Sequence, residues 1–381
     1  MAELSGYFIG LMSGTSLDGI DAVIVRLDSE ATAAEQSTRL ELIDSISQPL
    51  PTELRQQILQ LTQPGDNEIE LLGQVDVAFS RLQAEIVNQL LQQSGIKPEQ
   101  IRAIGSHGQT LRHRPEQPIP FTLQVGDPNT LAEATGICVV ADVRRRDLAA
   151  GGQGAPLVPA FHAQLFRHPE HQRAIVNIGG MANVTLLPAD ASSPVIGYDT
   201  GPGNVLLDSW IQRHQQQPFD RNGDWAGSGR CDQQLLQQLL SLDYFRQPAP
   251  KSTGREQFNI DWLDQQLSLQ SLSLRPEDVQ ATLLEFSART IADALQQHQP
   301  GPSQLFVCGG GAHNQLLMLR LQNLLPKITL SSTATLGLEP DWVEACAFAW
   351  LAQRCLAQLP GNLPAVTGAR GERILGGIYP A

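Results

Sequence analysis

GLMSGTSLDGID, running from Gly10 to Asp21, is the stretch that decides the fold. An apolar run, Tyr7-Phe8-Ile9, leads into it, and a second run, Ala22-Val23-Ile24-Val25, leaves it. This pattern predicts a strand, a tight polar turn and a return strand. Within the turn, glycines let backbone N–H groups approach an anion closely, and Ser/Thr hydroxyls add donors. Asp18 and Asp21 add carboxylates that can hold a divalent cation, directly or through water. The turn reads as a phosphate grip. Taken alone, it also reads as an ordinary polar hairpin turn.

The same pattern returns further along. Ala174-Ile175-Val176-Asn177-Ile178 runs into Gly179-Gly180, and Asn183-Val184-Thr185-Leu186-Leu187 is a return strand. Strand, glycine turn and strand thus occur twice, a weak internal duplication. Between the two copies, Val75, Phe79, Leu82, Ile86 and Leu90 step by three or four, as on one face of a long helix. Ile101–Gly105, Phe121–Val125 and the continuous apolar run Gly136–Ala141 predict strands, and Asp127-Pro128 opens a helix. After the second copy come helices around Asp232–Leu242, Asp261–Leu269 and Ala281–Leu295. Leu305–Cys308 is then a strand feeding Gly309-Gly310-Gly311, and Trp342–Leu356 is apolar almost all round, as in a buried helix. No low-complexity linker divides the chain, so domain boundaries must come from the repetition.

A chain of 381 residues with 41% hydrophobic content can hold two domains with sizeable cores. The net charge of −13 disfavours nucleic acid and anionic membranes as partners. An anionic ligand would need a local positive patch, for which Arg144-Arg145-Arg146 is the candidate. That run also reads as a solvated charged surface. The five cysteines show no metal-binding spacing and read as reduced, mostly buried thiols. Neither a signal-peptide pattern nor an 18-residue apolar run is present, so the cytoplasm is the expected compartment and no membrane span is expected.

Three glycine elements in this order suggest the actin-like ATPase superfamily, which includes hexokinase and the Hsp70 nucleotide domain. Seven strings go further: GLMSGTSLDGIDA, GSHGQT, VADVRRRDLAAGGQGAPLVP, NIGGMANVT, GYDTGPGNVLLD, CGGGAHN and LEPDWVEACAFAWLA. Together, from Tyr7 to Tyr379, they resemble the anhydro-N-acetylmuramic acid kinase family. The resemblance implies a two-lobed α/β fold of the actin-like (ribonuclease H-like) type, with mixed sheets flanked by helices. Residues 1–136 plus 360–381 would form an N-terminal lobe and 137–359 a C-terminal lobe. It also implies use of ATP and Mg2+ and a homodimer. The implied reaction converts 1,6-anhydro-N-acetylmuramic acid and water to N-acetylmuramic acid 6-phosphate, in peptidoglycan recycling.

The resemblance assigns roles to residues. Gly14, Thr15, Ser16, Leu17, Asp18, Gly19, Ile20 and Asp21 match the family's ATP-binding signature, with Asp18 and Asp21 near magnesium. Gly179 and Gly180, flanked by Asn177 and Asn183, would form a second phosphate turn, and Gly309, Gly310 and Gly311 would face adenosine. Taken alone, these are also a tight strand turn and a loop into a helix. Asp199, in GYDTGPGN, matches the catalytic aspartate. It also reads as an Asx turn or as the N-cap of a helix from Val205. Thr110, Arg146 and Glu344 are sugar contacts by family position, with Arg146 toward the lactyl carboxylate. Glu344 reads equally as a first-turn acid on a helix. His107 and Gln109 follow a strand end, where sites on α/β sheets gather. Two competing readings stay open: a kinase for a free amino sugar, and an actin-like nucleotide switch.

Overall fold

The computed structural model describes residues 4–14, 16–31, 36–249, 251–269, 274–298 and 301–381. The chain divides into two units, Met1–Leu165 with Trp342–Ala381, and Phe166–Asp341.

The first unit begins as the hairpin foreseen. Strand β1 (Gly6–Met12) pairs antiparallel with β2 (Gly19–Ala31), Met12 opposite Asp21, and β2 pairs with β3 (Gln36–Pro49). Next come β4 (Ile101–Ser106), parallel to β1, and a hairpin of β5 (Gln109–Arg114) and β6 (Phe121–Val125). Strand β7 (Val139–Ala141) lies parallel to β4.

In the second unit β8 (Arg173–Ile178), β9 (Met181–Leu187) and β10 (Ile196–Pro202) form an antiparallel meander. β11 (Gln304–Cys308) runs parallel to β8, and β12 (Thr329–Ser332) parallel to β11. Finally β13 (Gly377–Tyr379) returns to the edge of the first sheet beside β7. The sheet orders are β13-β7-β4-β1-β2-β3 and β10-β9-β8-β11-β12. Apart from β13, these are the same ribonuclease H-like order used twice, so the duplication extends to whole sheets. The fold is α/β of the actin-like type, with two such units.

Side chains alternate across a strand, so β1 serves two layers. Ile9 and Leu11 pack in one core with Val75, Phe79 and Ile86 of the helix Glu68–Ser94. Gly10 faces the other way, against the backbone of the helix Val343–Leu356. That helix is buried over most of its length, as its composition predicts. Asp127 caps the helix Pro128–Thr135, accepting from the N–H groups of Asn129 (3.1 Å) and Thr130 (3.0 Å).

The division differs from the expected lobes of 1–136 plus 360–381 and 137–359. Residues 137–165 and 342–359 belong to the first unit. β7 extends the first sheet, and the 343–356 helix covers β1 and β4. The second round of the duplication opens at β8, and the boundary falls just before it. β7 is also shorter than its apolar run, because Gly136 (φ 66°) closes the preceding helix. Among the described residues no helix is long and apolar enough to cross a membrane. All five cysteines are free thiols, three of them buried.

Candidate active site

In the first unit the β1–β2 turn is held from behind. The Ser13 hydroxyl lies 2.7 Å from Gln109 Oε1 and 2.9 Å from the Gly19 carbonyl. The Ser13 carbonyl accepts from His107 Nδ1 at 3.0 Å. The Leu17 N–H donates to the Gly14 carbonyl (3.2 Å), and Arg55 Nε donates to the Leu17 carbonyl (3.2 Å). Leu17 sits at φ 58°, a conformation costly for a branched side chain, and its burial in the core holds it there. Ile20 is likewise a core residue, so Leu17 and Ile20 offer a ligand only backbone. Gly19 is set by packing, since a Cβ there would lie 2.5 Å from the Gln48 carbonyl. Gly14 and Ser16 are partly exposed and Asp18 is exposed, while Asp21 is partly buried in β2. Thr15 lies outside the described residues. The result is an open polar turn on a fixed base. Its two carboxylates are hard oxygen donors of the kind magnesium takes.

His107 is buried and neutral. Its Nδ1–H goes to Ser13, leaving Nε2 to accept from Arg144 Nη2 at 2.9 Å. Burial and the Arg144 charge pull its pKa down to about 3, which removes it as a proton carrier near neutrality. It works as a clasp between the turn and Arg144. Arg144 also donates to the Gly154 carbonyl (2.8 Å), and Glu344 and Asp147 supply opposing charge. Arg145 and Arg146 are exposed, and Arg145 lies 3.5 Å from Asp142. The sequence favours Arg146 in this run, whereas the structure encloses Arg144. Thr110 is partly buried on β5, its hydroxyl accepting from Gln124 Nε2 (3.1 Å). Glu344 is partly buried in the first turn of the 343–356 helix.

In the second unit three glycine segments meet. The Gly179 carbonyl accepts from the Asn204 N–H (2.8 Å), and the Gly180 carbonyl from Gly203 (2.9 Å) and Val205 (3.1 Å). Asn204 Nδ2 donates to the Ile178 carbonyl (3.1 Å). Gly309 (φ 75°) and Gly311 press on the same strand end; a Cβ on Gly309 would lie 2.2 Å from Asn177 Oδ1, and one on Gly311 2.3 Å from Ile178 Cγ2. Those two glycines are demanded by packing. Gly179, Gly180 and Gly310 are not, because a Cβ on each would touch nothing closer than 3.6 Å, and none has positive φ. Backbone left bare where the fold does not require it is what close approach of an anion or a ring would need.

Asp199 lies within β10, at an irregularity in its pairing with β9 between Asp199 and Gly201. The strand runs on to Pro202, so Asp199 is not at its end. The residue before the helix Val205–Gln215 is Asn204, which disposes of the N-cap reading. Asp199 Oδ2 accepts from the Thr253 N–H at 3.0 Å, and Oδ1 has no protein partner among the described residues. Burial, opposed by that N–H and helped by Glu256, pushes its pKa up to about 7. A carboxylate with one oxygen fixed, the other unbonded, and a pKa near neutrality can take a proton from water. Tyr244, Lys251, Thr253 and Glu256 surround it, and the sequence marks none of them. The signal is weak: KSTGREQF is a turn-rich stretch whose value depends on where the chain folds it.

The family model for anhydro-N-acetylmuramic acid kinase matches residues 6–381. The anhydro-N-acetylmuramic acid kinase of Shewanella amazonensis is 54% identical over 375 residues, covering 98% of each chain. That of Xylella fastidiosa is 52% identical over 376 residues, covering 98% of this chain and 96% of its own. Among solved structures, component A of (R)-2-hydroxyglutaryl-CoA dehydratase from Acidaminococcus fermentans aligns with a TM-score of 0.47 at 12% identity. The alignment covers 92% of this chain and 99% of that one. On the extent of the family match and these near full-length relatives, the chain belongs to the anhydro-N-acetylmuramic acid kinase family.

Proposed function

We propose that this protein uses ATP and water to open 1,6-anhydro-N-acetylmuramic acid and phosphorylate it at O6, yielding N-acetylmuramic acid 6-phosphate and ADP. Asp199 Oδ1 takes a proton from the water that attacks C1. The C1–O6 bond breaks, and O6 takes the γ-phosphoryl group of ATP. An inverting glycosidase needs a second carboxyl group to protonate its leaving oxygen; here the phosphoryl group captures that oxygen and one base suffices. The observation that carries this reading is the state of Asp199, whose one oxygen without a partner among the described residues and whose neutral-range pKa suit a single base.

Gly14, Ser16, Asp18 and Asp21 are assigned to the phosphates, as are Gly179 and Gly180, and Gly309–Gly311 to adenosine. Thr15 is assigned with them from the family signature. Magnesium held by Asp18 and Asp21 would neutralise phosphate charge. Thr110, Arg146 and Glu344 are assigned to the sugar, and Arg144 joins them because it is the enclosed arginine of the run. A homodimer, a cytoplasmic location and a place in cell-wall recycling belong to the same reading.

The test is turnover of the anhydro-sugar against free N-acetylmuramic acid with ATP and magnesium in oxygen-18 water. The product is reduced at once to block anomeric exchange, and phosphate position is read by NMR. Label at C1 and phosphate on O6 are expected from the anhydro-sugar. Preference for the free sugar, or brisk ATP hydrolysis with neither sugar, would overturn the proposal.

The glycines give a second prediction. Gly180→Ala should leave thermal stability unchanged and raise the KM for ATP about tenfold, roughly 1.4 kcal/mol of binding. Gly309→Ala should instead destabilise the protein by about 1–3 kcal/mol, since it brings both a positive φ and a clash with Asn177. Melting curves and ATP titrations distinguish the two. Equal effects of both variants on melting would contradict the division between them.

A further inference from the structure

We propose that the segment Lys251–Phe258, together with Tyr244, is a strap that positions Asp199 and sets the pH range in which it works as the base. The proposal rests on the assignment of Asp199 as that base.

β10 is the edge strand of its sheet, so one side of its backbone has no strand partner. The strap supplies partners at Asp199. The Asp199 N–H donates to the Lys251 carbonyl (3.1 Å), and the Asp199 carbonyl accepts from the Tyr244 hydroxyl (2.6 Å). Thr253 donates its N–H to Oδ2 (3.0 Å). Both backbone groups and one carboxylate oxygen are thereby fixed, leaving Oδ1 as the working atom.

The strap is anchored at both ends. Lys251 Nζ donates to the Tyr244 carbonyl (3.1 Å) and stands 4.8 Å from the Tyr244 ring centroid. Phe258 is fully buried, packed edge-on against Tyr244 and Trp262 with ring centroids 6.1 and 5.2 Å away. Between the anchors, the Gly254 carbonyl accepts from Gln257 (3.1 Å) and Phe258 (3.0 Å), a tight turn that aims the Thr253 N–H. Glu256 folds back over it, since a Cβ on Gly254 would lie 2.4 Å from Glu256 Oε2.

Glu256 is the charged group acting on Asp199 among the described residues. Tyr198 precedes Asp199 on the strand, β9 presents Asn183 opposite it, and Tyr244 and Lys251 come from the strap side. On the helix Pro276–Gln296, which packs on β10, Arg289 and Asp293 act on each other. Two strap groups therefore pull Asp199 in opposite directions: the Thr253 N–H favours the carboxylate and Glu256 the carboxylic acid.

The experiment is the pH profile of kcat in the full-length enzyme with saturating ATP and anhydro-sugar. Glu256→Gln should move the acid limb about half a unit to lower pH, with the KM for ATP unchanged. Thr253→Pro removes the N–H and should move the limb about half a unit or more to higher pH. Thr253→Ala keeps the N–H and should leave the limb in place. A merely structural strap would lower melting temperature and not shift the limb. The strap is overturned if Glu256→Gln and Thr253→Pro both stay folded with an unshifted limb, or if Thr253→Ala shifts it as far as Thr253→Pro. Asp199→Asn separates the two claims. If that variant keeps turnover, the assignment of the base fails. If it loses turnover while strap variants leave the limb alone, the strap fails by itself.

Discussion

Asp199→Asn should lower kcat by about 10²- to 10⁴-fold, the range expected for loss of a positioned general base. The amide is nearly isosteric, and with its oxygen toward the Thr253 N–H it can keep that bond. What it lacks is the ability to hold a proton from water. ATP affinity should stay within about twofold, because the glycine turns and Asp18 are untouched. A variant with kcat within threefold of wild type would remove Asp199 from the base role.

The same residue makes two pH predictions with opposite signs. Turnover of the wild type should rise with pH through about 7, as Asp199 becomes ionised. Stability should go the other way. The folded-state pKa is raised above the ordinary aspartate value near 3.9, so the native state holds the proton more tightly than the unfolded chain. The contribution of this group is then favourable at low pH and is lost as pH climbs through about 7. Asp199→Asn has no such titration. At pH 8 it should melt no lower than wild type, and activity and stability should part company. A variant that is both inactive and markedly less stable at pH 8 would point to a structural role.

Much of this arrangement is legible in the chain because it is local. The β1–β2 hairpin, its echo at Gly179-Gly180, and the capping of a helix by Asp127 all follow from neighbours in sequence. Asp199 itself is marked by family position, yet its environment is not. Tyr244, Thr253 and Glu256 reach it only because an edge strand takes its missing partners from a segment some fifty residues on. The arginine run shows the same limit. Three adjacent guanidinium groups look alike in a string, and only the fold encloses Arg144 beside His107 while leaving Arg145 and Arg146 in solvent. The boundary between the units is hidden in the sequence for a related reason. β7 has three residues, and its allegiance to β4 is a matter of pairing across more than thirty positions, not of composition.

Gly10 and Gly105 carry the second large effect. They are paired across β1 and β4, and both face the helix Val343–Leu356. A Cβ on Gly10 would lie 1.9 Å from the Ala345 carbonyl oxygen, and one on Gly105 2.0 Å from that of Phe348. The obstacles are backbone atoms of a buried helix, so no side-chain rotation relieves them. Gly10→Ala or Gly105→Ala must lift the helix off the sheet, at about 1–3 kcal/mol each or more. The lifted helix carries Glu344 beside Ala345, and Phe348, whose ring centroid is 4.8 Å from that of His107. Activity should therefore fall with stability, even though neither glycine touches a ligand in the proposed site. The double variant is the sharper measurement. Both new methyl groups push the same rigid element, so once the helix has moved for one, much of the room for the other exists. Urea denaturation should show a double-variant cost clearly below the sum of the singles. Strict additivity, or a neutral single variant, would mean that the sheet yields locally and that the helix is not seated on these two glycines.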